Sequence, residues 1–252
     1  MSQKNILVLG ILLSVAATSS MDATGFGAFS ALPLLPLAII FLLFGKISTR
    51  EAGFNWGKSK DYALAIGYPL IVAVSITLIF GIANSFSFQK DIQLNIVTKI
   101  CKMFLAGSIV VLLTEEFFFR GYVYSGMKKN NITTRKAVLF SALIFAVWHI
   151  SAVTLISFFK LPIWQIPIFL ANAFLLGVNW CLLRVRSNSI IVPALSHSLW
   201  NGLVYTFFGF GEQNKGILHI QQSVIFGPEI GVLGILFNGI VSAILLKKTE
   251  LN

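Results

Sequence analysis

The chain has 252 residues, of which 56% are hydrophobic and 11% charged, and it carries a net charge of +10. An ordinary soluble domain holds about 25% charged residues, so the composition excludes that class and points to a polytopic membrane protein. The basic excess fits either a nucleic-acid partner or a membrane-topology signal, and the positions of Lys and Arg separate the two. Both cysteines, Cys101 and Cys181, fall in apolar segments and give neither a metal or redox spacing nor a disulfide framework.

A spanning helix needs about 20 mostly apolar residues. In chain order the candidates are 5–20, 28–45, 62–86, 98–126, 137–159, 164–183, 189–210 and 230–246. They predict an all-α bundle of about eight transmembrane helices forming a single integral membrane domain over 1–252. The first segment also has the form of a signal peptide, with Lys4 ahead of "ILVLGILLSVAATSS". No small-x-small cleavage site follows before Asp22, so it is read as a span. Gly and Pro inside these segments are tolerated in membrane helices. The longest connections are 46–61 and 211–229, the second expected on the outer surface of the membrane.

Thirteen of the nineteen basic residues belong to one set of loops: Lys4, then Lys46, Arg50, Lys58 and Lys60, then Lys128, Lys129, Arg135 and Lys136, then Arg184 and Arg186, then Lys247 and Lys248. The opposite set holds Lys90, Lys99, Lys102, Lys160 and Lys215. This alternation obeys the positive-inside rule and predicts a plasma-membrane protein with both termini cytoplasmic. The charge is thereby used on topology, and no basic-aromatic interleaving points to nucleic acid.

Charges inside apolar segments are expensive and mark functional candidates. "TEEFFFRGYVYS" (114–125) places Glu115, Glu116 and Arg120 in the fourth segment. Glu116 and Arg120 are four apart and share a helical face, so they are expected to pair. Glu115, about 100° round the helix from Glu116, lacks a local partner and is the carboxylate available for chemistry. The bland alternative is that all three snorkel to the cytoplasmic surface. In "FAVWHI", His149 lies about 18 Å from the start of its helix, with Phe145 one turn earlier on the same face. In "SNSIIVPALSHSLWN", His197 and Asn201 share a face about 12 Å in, and Asn188 or Ser189 is the expected N-cap. A histidine or an amide in such a helix also serves as plain interhelical hydrogen-bonding. The alternating helix directions bring all these groups to one layer, open to the cytoplasmic side. A carboxylate, two histidines and an amide converging in low dielectric form a hydrolytic constellation. Asn172, Asn179 and Asn238 are read as packing residues, Ser196 and Ser198 as small packing residues, and His219 as an outer-loop residue.

Glu-Glu-x-x-x-Arg (115–120), Phe-x-x-x-His (145–149) and His-x-x-x-Asn (197–201), in this order on separate helices, resemble the CAAX-protease and bacteriocin-processing family of intramembrane proteases. Pro193, four residues before His197, also looks like the family. Eukaryotic members of that family trim prenylated proteins. The resemblance covers about 98–210, the family-like catalytic core. It implies an endopeptidase acting on a membrane-associated protein or peptide at the bilayer. Glu115 would be the base that activates water, assisted by His149. His197 and Asn201 would stabilise the oxyanion, and Glu116, Arg120 and Phe145 would support the site. It implies no cofactor. The alternative is zinc on Glu115, His149 and His197, since two histidines and a carboxylate form a known catalytic ligand set. The absence of a His-Glu-x-x-His helix, and Asn as a good oxyanion donor but poor zinc ligand, favour the glutamate mechanism.

Two other classes compete. A non-catalytic immunity or binding protein would need the cavity without the proton chemistry. A transporter would show matching halves, and the sequence shows none.

Overall fold

The structure, a computed structural model, describes residues 2–83, 86–88, 96–155, 159–210 and 214–249. Lys90 and residues 211–213, the start of the 211–229 connection, therefore lie outside the described residues. The helices are α1 (Gln3–Ala23), α2 (Leu34–Phe44), α3 (Ser59–Ile82), α4 (Ile96–Val111), α5 (Tyr124–Lys129), α6 (Thr134–Trp148), α7 (Ile150–Leu155), α8 (Ile166–Ser187), α9 (Ile191–Phe207), α10 (Ser223–Phe226) and α11 (Val232–Lys248). Between α4 and α5 the chain stays helical but is π-wound over Leu112–Val123. Two short antiparallel ribbons complete the fold. Strand β1 (Phe86–Phe88) pairs with β4 (Leu218–Ile220), and β2 (Gly209–Phe210) pairs with β3 (Asn214–Lys215).

Among the described residues, five stretches are long and apolar enough to cross a membrane: Gln3–Ala23, Ser59–Ile82, Ile96–Lys129, Thr134–Leu155 and Ile163–Ser187. The protein is an integral membrane protein, and nearly all of its regular structure is α-helical. The expected count of about eight spans is not confirmed among the described residues. Turns up to Pro33, the N-cap residue of α2, take up the start of 28–45, leaving α2 with 11 residues, too few to cross. Helices α9 and α11 have 17 residues each, at the lower limit for a span. The segment expected at 137–159 breaks at His149, which caps α6. At the start of α9, Asn188 instead ends α8 in a left-handed conformation, while Ser189 Oγ accepts the Ile191 N–H at 3.1 Å.

Helix α8 is the axis of the bundle and packs against α6, α9 and α11; α9 also packs against α3 and α4. Close approach of α6 and α8 depends on Gly177, where a Cβ would come within 3.0 Å of Ala142 Cα. Small residues at helix crossings serve this purpose in membranes. Asn172, Asn179 and Asn238 join Tyr68 and Ser242 in one buried network tying α3, α8 and α11 together. Without those bonds each buried amide would cost several kcal/mol, on the order of 2–7. Outward faces are apolar: α3 exposes Ile71, Val74, Leu78 and Ile82, and α4 exposes Val97, Leu105 and Ile109. Such surfaces are stable against acyl chains and not against water.

Several of the loops expected to share basic charge meet at one end of the bundle. Lys129 Nζ donates to Lys46 O, Arg184 Nη2 donates to Glu51 O, and Arg186 pairs with Asp61 at 3.0 Å while donating to Lys248 O. The connection 211–229 is not simply a surface segment. Its described part forms β3, β4 and α10, and it buries Leu218, Phe226 and Glu229.

Candidate active site

The π-wound segment sets the geometry. Its hydrogen bonds run to the fifth residue instead of the fourth, a rare winding that recurs at functional sites. In an α-helix Glu115 and Glu116 would diverge by about 100°. Here both reach the same imidazole. His197 Nδ1 is 2.9 Å from Glu116 Oε1, and His197 Nε2 is 3.9 Å from Glu115 Oε2. The sequence pattern assigned Glu116 to Arg120 alone; the structure gives it a second partner.

The expected pair of Glu116 and Arg120 is present at 3.1 Å, and both residues are fully buried. Arg120 Nη2 also donates to Gly177 O at 3.3 Å, which ties the π segment to α8. The guanidinium lies 4.4 Å from the Phe145 ring centroid and 5.5 Å from that of Trp180. These π faces partly compensate its loss of water. The charges therefore do not snorkel.

Phe145 is the platform of the site. Its ring meets Arg120 on one side, His149 edge-on at 4.5 Å, and His197 at 6.0 Å. His149 sits at the break between α6 and α7. Its Nδ1–H donates to Phe145 O at 2.8 Å, which leaves Nε2 as the acceptor. Trp180 of α8 stacks on His197 with centroids 3.7 Å apart and planes 16° apart.

His149, His197 and Asn201 line one cavity of about 30 Å³ together with Tyr205 and Glu229. That volume holds one or two water molecules. Phe145, Phe169 and Trp180 close it. Glu115 does not line this cavity; it reaches the layer through His197 Nε2. Thus the other three expected chemical residues, Glu115, His149 and Asn201, lie around His197, but in two compartments.

Sequence reasoning missed Trp180, Tyr205 and Glu229. Glu229 carried a signal of the kind used for Glu115: a carboxylate in an apolar run, "VIFGPEIGVLGILF". His219 is paired through its backbone with Ser87 in the β1–β4 ribbon. Among the described residues, no three His, Cys, Asp or Glu side chains lie at a spacing that would hold a metal ion. Glu115, His149 and His197 are thus not gathered as a three-ligand set among the described residues.

Residues 97–203 match the family model described as Type II CAAX prenyl endopeptidase Rce1-like. The chain is 30% identical over 151 residues to the Membrane-embedded CAAX protease MroQ of Staphylococcus aureus (strain USA300), covering 58% of this chain and 55% of that protein. It is 29% identical over 179 residues to the UPF0177 protein YxdF of Lactococcus lactis subsp. lactis (strain IL1403), covering 66% of this chain and 88% of that protein. The chain thus spans about half the length of the Staphylococcus relative.

Proposed function

We propose that this protein, a member of the Rce1-like CAAX endopeptidase family through residues 97–203, is an intramembrane endopeptidase that hydrolyses a peptide bond of a membrane-associated protein or peptide. The observation that carries the reading is His197 held between two carboxylates, beside a water-sized cavity that His149 and Asn201 also line.

Each residue then has a task. Glu115 takes a proton from water as the water oxygen attacks the scissile carbonyl carbon, and His149 Nε2 accepts a hydrogen bond from that water. The oxyanion is stabilised by donors placed before the reaction begins, which act strongly where bulk water is excluded. Asn201 supplies an amide N–H, and His197 supplies Nε2–H. Donation from both ring nitrogens of His197 requires the imidazolium, whose charge the flanking carboxylates offset. Glu116, Arg120 and Phe145 hold the imidazole in place. No step is routed through a metal. Cleavage at the cytoplasmic side of the plasma membrane, with both termini cytoplasmic, completes the proposal; the basic loops gathered at one end of the bundle support it.

The test compares new protein N-termini in membranes from cells carrying wild-type protein or Glu115→Gln at matched expression. Peptides that appear only with the wild type are expected, and they would name substrates. Identical profiles with folded protein present would overturn catalysis and favour the binding-protein reading.

A further inference from the structure

Peptide hydrolysis needs two proton transfers. Water loses a proton when it attacks, and the amine nitrogen gains one when it leaves, because an amide anion is too basic to depart. The family motif supplies a base, Glu115, and oxyanion donors. It supplies no dedicated acid. We infer that Glu229 is that acid: it donates its carboxyl proton to the nitrogen that leaves the scissile carbon. This rests on the endopeptidase reading above.

Three observations place it there. Glu229 lines the cavity that His149, His197, Asn201 and Tyr205 also line, and the residue is 6% exposed. Its Oε1 accepts the Trp200 Nε1–H at 2.6 Å, which fixes the carboxyl orientation. Its buried Oε2 makes no hydrogen bond of ordinary geometry among the described residues, although the Tyr205 hydroxyl lies within reach of the carboxyl. An ionised carboxylate with an unpartnered buried oxygen is costly, and carrying a proton removes that cost. The loop that presents it is anchored on both sides of α8's start. Gln165 Nε2 donates to Ile230 O at 2.9 Å, and Asn172 Nδ2 donates to Gly231 O at 3.0 Å. Glu229 also lies outside residues 97–203, so the family match does not assign it.

The step balances. Water gives its proton to Glu115 and forms the C–O bond. The C–N bond breaks as the Glu229 proton moves to nitrogen. The proton on Glu115 then returns to the Glu229 carboxylate through His197 and water in the cavity. One water is consumed, and both carboxyls end as they began.

The bland role for Glu229 is a hydrogen bond that seats Trp200. Glu229→Gln separates the two, since its amide oxygen still accepts from the indole but holds no acidic proton. The probe is a fluorogenic peptide built on a cleavage bond recovered from the N-terminus comparison, alongside an aryl ester of the same acyl segment. The phenolate of the ester leaves without being protonated. With full-length protein in bilayer nanodiscs, Glu229→Gln is expected to slow amide cleavage by about 100-fold or more and ester cleavage by less than about tenfold. The ratio of the two rates does not depend on how much of the variant folds. If no Glu229→Gln protein accumulates, Glu229→Asp, which keeps an acidic proton but shortens its reach, is measured instead, and a smaller rise in the ester-to-amide ratio is expected. Equal losses on both probes, or an unchanged amide rate, would overturn the inference. Glu115→Gln is the control arm: it should lose both activities, and if it cleaved the amide normally the endopeptidase reading itself would fall.

Discussion

Removing the charge of Glu116 while keeping its shape is the sharpest test of how the site is held. Glu116→Gln leaves the Arg120 guanidinium fully buried with no counter-charge. Breaking a buried pair from one side costs about 3–5 kcal/mol. The guanidinium keeps its hydrogen bond to Gly177 O and its position over Phe145, and the Gln amide oxygen can still accept. The lower end, about 3 kcal/mol, is therefore expected. In a chain of this size each kcal/mol lowers Tm by about 2–4 °C, so the shift should be about 6–12 °C. Thermal unfolding in detergent, followed by tryptophan fluorescence, measures it. Adding Arg120→Met removes the stranded charge, and the double variant should recover at least half of the loss. A shift below about 2 °C for the single variant, or a double variant less stable than the single, would refute the reasoning.

Other expectations follow from the same geometry. Glu115→Gln should abolish cleavage, by at least about 100-fold, with a Tm within about 2 °C of wild type, because Glu115 is not part of the buried pair. His149→Ala should slow turnover by about 100-fold in single-turnover kinetics, since it removes the free Nε2 acceptor. Treatment with EDTA should leave cleavage within about twofold, and a loss restored by added zinc would reverse the reading of the donor set. Gly53→Ala should cost about 1–2 kcal/mol in thermal unfolding. Gly53 has φ +91°, and its added Cβ would land on the Arg184 guanidinium that binds Glu51 O.

The helical class and most segment positions were legible because apolar runs are a strong one-dimensional signal. The number of spans was not. Hydropathy does not register that turns up to Pro33 take up the start of 28–45, nor that 137–159 turns at His149. For the site, spacing located the carboxylates, histidines and amide. It misjudged the relation of Glu115 to Glu116, because a pitch of 3.6 residues per turn was assumed where the chain is π-wound. Glu116 thus gained His197 as a second partner. Trp180 was invisible for a different reason: an aromatic residue in an apolar helix looks the same whether it faces lipid or covers an imidazole. Glu229 was hidden because it lies in a connection assigned to the surface, where a carboxylate calls for no explanation.

A space of about 30 Å³ beside His149, His197 and Asn201 has room for a water or two and not for a polypeptide, since ligand sites run to about 300–1,000 Å³. On the proposed function, a scissile bond would reach this layer only after helices part. The fraction of molecules parted at any moment then multiplies the apparent rate. Selectivity would follow from how readily a segment unwinds and wedges between helices, more than from a preformed imprint of its side chains. Sequence consensus around cleavage sites should accordingly be weak, and local helix instability in the cut segment should be the shared property.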